Sequence, residues 1–190
     1  MVNIHPNNTE LIILNLGYKR FFEIYDEFIS EDFWNLSAEN RLFKLKNCFE
    51  IYTELLKYEP IKFYMDYLKK HRPPQEGFIA NEYFLFIRNV LSHFPYFRCW
   101  DDIYLNEENA IWNLPKNSSI LKFLKKYSNS ETIKYRLWNS KKKKFTYIDI
   151  KFPHSGDKKI FMKDLVSEKE GMLFCMVLMK QVLESQLEKT

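Results

Sequence analysis

At 190 residues the chain has room for one domain of ordinary size and can bury a hydrophobic core without disulfide or metal staples. Apolar residues at 46% and charged residues at 28% exclude a disordered chain, and 17 Phe, 12 Tyr and 4 Trp beside only 4 Gly and 7 Pro exclude collagen-like or linker-like sequence. The net charge of +4 conceals an asymmetry: residues 116–163 carry 14 Lys and Arg against 3 Asp and Glu (+11), while the remainder carries 15 against 22 (−7).

Four helical segments fill the first half. Asn8 or Thr9 can cap a helix running to about residue 29, and Ser37 can cap a second in which Leu42, Leu45, Phe49, Tyr52 and Leu56 recur at helical spacing. Pro60 suits the first turn of a third, which ends before the breaker Arg72-Pro73-Pro74. The fourth runs from near Glu76 to His93, and Pro95 forces Phe94 out of helical geometry.

The pattern then changes. Residues 133–138 and 145–152 are rich in β-branched and aromatic side chains and bracket a run from Asn139 to Lys144, which predicts an antiparallel hairpin with lysines at its tip. A short third strand is expected within 159–162, and a last helix over about 167–187, apolar on most of its circumference. The fold class expected is mainly α: an antiparallel four- or five-helix bundle in one domain, built from 8–95 and 165–188, with a basic, β-containing insert at about 98–163. The longest apolar run, Met172 to Met179, is less than half a membrane span, and the first nine residues carry no export signal, so a cytoplasmic protein without a membrane partner is expected. Cys48, Cys99 and Cys175 are odd in number and show no CxxC spacing, which favours reduced, mostly buried thiols over a disulfide framework or zinc ribbon.

The fourth helix carries the chemistry. At about 100° per residue, Ile79, Ala80, Tyr83, Phe84, Ile87, Val90, Leu91 and Phe94 share one arc, and Asn81, Glu82, Arg88, Asn89, Ser92 and His93 share the opposite one. That polar arc holds no lysine, is interrupted by Leu85 and is edged by Phe86, so it reads as a stripe packed against another surface. Within it stands Arg88-Asn89-Val90-Leu91-Ser92-His93. Cleavage of RNA by its own 2′-hydroxyl needs a proton acceptor, a counter-charge for the phosphorane and a proton donor for the leaving 5′ oxygen. A histidine titrating near neutral pH suits the proton transfers, and a guanidinium fork suits the phosphate oxygens. Asn89 or Ser92 can orient the imidazole or hold the ribose.

The Arg-x4-His sequence, with a polar residue after the arginine, resembles the signature of the HEPN family (higher eukaryotes and prokaryotes nucleotide-binding domains). The resemblance implies an antiparallel helical bundle and a metal-independent endoribonuclease of the kind found in toxin–antitoxin and phage-defence systems. It further implies no cofactor, an RNA substrate, a cognate antitoxin or defence-system partner, and a homodimer that brings two Arg88 and two His93 into one cleft. Leu85 and Phe86 are the expected contacts at that seam. Lys141, Lys142, Lys143, Lys144 and Arg136 are the expected RNA grip.

The alternatives are structural. Arg88 can pair with Glu82 or another acid and His93 can satisfy carbonyls at the helix end, giving a non-catalytic HEPN-like module that dimerises or holds a protein or RNA partner. The lysine run can be a solvated turn. Asp101-Asp102 and Glu107-Glu108 read as surface acids and not as a metal site, and His5, His71 and His154 as scattered and exposed. Trp100, Trp112, Trp138 and Tyr135 can stack on bases, although in so aromatic a chain the core is the first expectation for each.

Overall fold

Polar caps and apolar spacing set where the helices of the first half begin and end. Asn7 opens α1 (Asn8–Phe28) with a capping box: its side chain accepts from the Glu10 amide at 2.9 Å, and the Glu10 carboxylate accepts from the Asn7 amide at 2.8 Å. The cap therefore precedes Asn8 and Thr9, the residues expected. Ser30 caps a short helix not foreseen from the sequence, α2 (Glu31–Asn35), and Ser37 caps α3 (Ala38–Leu55) as expected. α4 (Glu59–His71) and α5 (Pro74–His93) follow. This computed structural model describes residues 5–71, 74–106, 119–139, 143–154 and 156–187. Arg72 and Pro73 of the expected breaker lie outside the described residues.

After α5 come a single 3₁₀ turn (Trp100–Asp102), β1 (Tyr104–Leu105), α6 (Ser119–Tyr127), β2 (Ile133–Asn139), β3 (Lys144–Ile150), β4 (Ile160–Phe161), α7 (Met162–Leu165) and α8 (Glu168–Leu187). Among the described residues the fold is thus mainly α, with two small antiparallel sheets of two strands each. β2 and β3 form the expected hairpin, in register from Ile133 opposite Ile150 to Asn139 opposite Lys144. Lys143 enters β3 with a positive φ of 45°. β4 is the expected third strand, yet it pairs with β1 (Tyr104 opposite Phe161) and not with the hairpin.

The chain divides into two compact units, Met1–Gly77 with Met176–Thr190, and Phe78–Cys175. The division falls inside α5 and inside α8. Most of α5 therefore clusters with the segment that the sequence reads as an insert.

In the first unit α1 packs along α3. Phe21, Ile24 and Phe28 of α1 and Leu42, Leu45, Phe49 and Tyr52 of α3 are buried, and the Tyr18 hydroxyl donates to the Leu183 carbonyl of α8 at 3.0 Å. The outer side of α1 leaves Leu11, Ile12, Ile13 and Leu16 exposed.

The second unit is organised around Trp100, which is fully buried and donates from Nε1 to the Val166 carbonyl at 3.0 Å. Its ring lies over the first turns of α8, where Gly171 leaves the space for it. A Cβ built on Gly171 would stand 2.4 Å from Cζ2 of the indole. Truncating an indole buried in this way typically costs about 3–5 kcal/mol.

The three cysteines are free thiols; Cys48 and Cys175 are buried, and Cys99 is half-buried. Burial pushes the Cys48 thiol up to about 12 and the Cys175 thiol well above its ordinary value. Among the described residues no helix is long and apolar enough to cross a membrane.

The two glycine contacts generate a contrasting pair of substitutions. Replacing Gly by Ala inside a helix ordinarily gains about 1 kcal/mol. At Gly171 the added methyl meets a ring that is both buried and held by its hydrogen bond, so Gly171→Ala should destabilise by roughly 1–3 kcal/mol. At Gly17 the added methyl meets Leu55 Cδ2 at 2.7 Å, the end of a side chain that can rotate, and the net change should be near zero. Urea midpoints of the two variants test this; equal midpoints would show that the indole yields as readily as the leucine.

Candidate functional site

The stripe of α5 expected to pack against another surface finds part of that surface in its own unit. α6 has the sequence Ser-Ile-Leu-Lys-Phe-Leu-Lys-Lys-Tyr, in which Ile120, Phe123 and Tyr127 fall on one face at i, i+3 and i+7 and are buried. Phe123 stacks on Phe86 of α5 with ring centroids 4.5 Å apart and planes 18° apart. Phe86, at 1% exposure, is therefore a core residue of this chain and not a side chain presented at an intermolecular seam. The correction has a simple cause. Phe86 sits at the edge of the polar arc, and α6, unrecognised in the lysine-rich segment, supplies the aromatic surface that covers it.

Polar ties lie on either side of that stack. One turn before Phe86, the Glu82 carboxylate accepts from Lys126 Nζ at 2.8 and 2.9 Å and from the Tyr127 hydroxyl at 2.6 Å. One turn after it, Asn89 Nδ2 donates to Ser119 Oγ at 2.6 Å. Partial burial alone would raise the Glu82 carboxyl, but the hydrogen bonds from Lys126 and Tyr127 and the ammonium charge outweigh it and hold the group below its ordinary value. The same hydrogen bond raises Lys126. Glu82 is thus engaged by α6 and not by Arg88, which removes the specific ion pair offered as the structural alternative for the arginine.

The motif residues lie next to this seam. Arg88 and Asn89 are half-buried, whereas Ser92 and His93 are exposed in the last turn of α5. Among the described residues neither the Arg88 guanidinium nor the His93 imidazole enters an ion pair or a side-chain hydrogen bond. Helical geometry separates the two by about 7.5 Å along the axis and roughly 140° around it. His93 lies on the side of the helix that α6 covers, one turn beyond Asn89. Arg88 lines up with Asn81, Leu85 and Ser92 on the adjoining side, at i, i+4, i+7 and i+11. Leu85 is half-buried, an apolar side chain within that otherwise polar row. The buried face beneath includes Tyr83, whose hydroxyl has no hydrogen-bond partner among the described residues; its burial pushes the phenol far above its ordinary pKa and marks it as packing.

Lys143, Lys144 and Arg136 are exposed on the β2–β3 hairpin, whereas Lys141 and Lys142 lie outside the described residues. Trp100 and Tyr135 are core; Trp138 is 52% exposed; Trp112 lies outside the described residues. Asp101, Asp102, His5 and His154 are exposed, and Glu107 and Glu108 lie outside the described residues. Among the described residues no three His, Cys, Asp or Glu side chains converge as metal ligands would. The residues that sequence reasoning missed are Lys126, Tyr127 and Ser119. The apolar spacing from Ile120 to Tyr127 was the available signal for the helix that carries them. Comparison of the chain with protein-family models, with curated proteins and with solved structures finds no match.

The Glu82 tie has a pH signature. Because its folded-state pKa is depressed, its contribution is fully present above the unfolded value of 4.5 and is lost as pH falls through the lower folded value. Glu82→Gln should cost about 1 kcal/mol near neutral pH, the upper range for a solvent-screened pair, and the deficit should be smaller below pH 4.5. Urea unfolding of both proteins at the two pH values measures this, and a deficit independent of pH would assign the loss to packing.

Proposed function

We propose that the chain is a HEPN-type endoribonuclease that cleaves RNA by attack of the substrate's own 2′-hydroxyl, acting as a cytoplasmic homodimer in a toxin or phage-defence role. The observation that carries this reading is the state of Arg88 and His93. Both reach the surface of one helix without an ion pair or side-chain hydrogen bond among the described residues, while Glu82 of the same helix is occupied by Lys126 and Tyr127. A cationic fork and an imidazole left unspent beside a fixed seam are available to a polyanionic ligand.

In this mechanism the 2′-oxygen loses its proton to one imidazole and bonds to phosphorus as the bond to the 5′ oxygen breaks. A second imidazole protonates the departing oxygen, which leaves a 2′,3′-cyclic phosphate and a 5′-hydroxyl. Arg88 balances the charge on the non-bridging oxygens at the crowded phosphorane. Two histidines with distinct tasks, and the angular separation of Arg88 from His93, are why two copies of α5 are required. A bundle that pairs α5 across a two-fold axis is the HEPN arrangement, and the half-buried row containing Leu85 is the surface it would use. No metal ion enters this scheme, and an antitoxin or defence-system partner would restrain the activity.

A non-catalytic module is the second reading, and one observation favours it. Asn89, the residue suited to orient the imidazole, gives its amide to Ser119 instead. In that reading the motif is part of a scaffold, and only the basic segment engages RNA.

Cleavage assays separate the two. His93→Ala and Arg88→Ala should each reduce cleavage of a labelled RNA by about 10²-fold or more, with melting temperatures close to the parent. EDTA should leave the parent's rate unchanged. Equal rates in all three proteins, or cleavage that depends on added Mg²⁺, would overturn the mechanism. Leu85→Glu should place two like charges across the seam, shift sedimentation toward monomer and lower cleavage with it. A Leu85→Glu protein that remains a dimer, or a parent monomer that cleaves, would refute the composite site.

A further inference from the structure

The β2–β3 hairpin has two unlike faces. Tyr135, Leu137, Ile148 and Ile150 point inward and are buried, as strand alternation requires. The outer face pairs Lys134 with Asp149, Arg136 with Tyr147, and Trp138 with Phe145. Trp138, Phe145 and Tyr147 are 52%, 52% and 57% exposed. Large aromatic rings are ordinarily buried. Three rings left on one face of one hairpin ask for an occupant.

We infer that this outer face is a stacking platform for single-stranded RNA, with Trp138 and Tyr147 receiving bases, Lys134 and Arg136 tracking the backbone, and Lys143 and Lys144 adding charge at the end of the hairpin. The inference deepens the proposed function and rests on it for the choice of RNA. Trp138 and Phe145 meet edge to face, centroids 5.2 Å apart and planes at 68°, so the pair does not use up both ring faces. The Arg136 guanidinium lies over the Phe145 ring, 5.7 Å from its centroid, so that ring holds a cation next to Trp138 and Tyr147 and is itself partly covered. Alternate residues along a strand stand about 7 Å apart, so successive rings offer successive sites to an extended strand.

The same chemistry argues against other occupants. A duplex hides its bases, and the cations alone would serve it. A second copy would bring Lys134 and Arg136 of one face against the same two of the other, with only Asp149 to offset them on each side. Unpaired bases on a polyanionic chain satisfy both the rings and the charges.

The test is fluorescence anisotropy of a labelled 12-nucleotide single-stranded RNA, in a His93→Ala background so that the probe survives. Trp138→Leu and Tyr147→Leu, which keep apolar bulk and lose the ring, should each weaken binding roughly tenfold with the salt slope unchanged. Trp138→Phe should bind within about twofold of the parent, because a ring remains. Lys144→Gln should instead flatten the salt slope by about 0.7. A blunt duplex of the same sequence should bind at least tenfold more weakly than the single strand.

Equal affinity for the duplex, or leucine variants that bind like the parent, would overturn the platform. So would binding to anionic vesicles, or a dimer, that Trp138→Leu abolishes while RNA affinity is unchanged. The two proposals fail separately. Single-strand binding that depends on the rings, without cleavage by the parent, would leave the platform standing and end the nuclease reading. Cleavage that His93→Ala abolishes, with RNA affinity indifferent to Trp138, would do the reverse.

Discussion

The stack of Phe86 on Phe123 is the contact on which the placement of Arg88 and His93 depends. A ring pair in this geometry adds about 0.5–1.5 kcal/mol to the roughly 1.5–3 kcal/mol gained by burying each side chain. Its directional effect matters more than its energy. With Glu82 tied to α6 one turn earlier and Asn89 tied one turn later, α5 cannot rotate about its axis without breaking all three contacts. The azimuths of Arg88 and His93 are fixed as a consequence, and a site that needs a guanidinium and an imidazole at set positions has its scaffold supplied by neighbours that never touch a substrate.

Much of this was legible from residue order, and the exceptions have physical causes. α3 and α8 begin where Ser37 and Ser167 permit, and α5 stops ahead of Pro95, because caps and breakers act over one turn and need no distant partner. α6 escaped notice because Lys122, Lys125 and Lys126 lie among its apolar positions in a segment already conspicuous for charge. The misplacement of Phe86 followed from that omission. An arc computed for one helix shows which side chains diverge from the core, but not which second helix comes to meet them. The pairing of β4 with β1 was illegible for a related reason: two-residue strands more than fifty positions apart carry no periodicity, and only the packed unit brings Tyr104 opposite Phe161.

The exposure of Trp138 was, by contrast, readable in principle. It shares its parity along β2 with Lys134 and Arg136, so any hairpin that buries Tyr135 and Leu137 must turn Trp138 outward. Composition obscured this, since a chain with so many aromatic residues invites the assumption that each ring fills the core. The charge pattern and the ring pattern coincide on this hairpin. The residues proposed for chemistry and those proposed for strand binding all belong to the unit Phe78–Cys175. The acidic excess of the remainder is spread over α1, α2 and the residues flanking the basic segment, and in the first unit Lys44 with Glu27 and Lys57 with Glu54 form ion pairs.

The buried thiols give the molecule a built-in pair of reporters. Cys48 belongs to one compact unit and Cys175 to the other, and each is fully buried with its thiol held in the protonated form far above neutral pH. Alkylation requires a thiolate in contact with solvent, so neither sulfur reacts until the unit around it opens. Cys99, half-buried, marks the rate at which a partly accessible thiol of the folded chain is modified. The rates at Cys48 and Cys175, resolved by peptide mass, therefore read the opening free energies of the two units independently and without any substitution. Whether the units breathe together or apart is written in the ratio of those two rates.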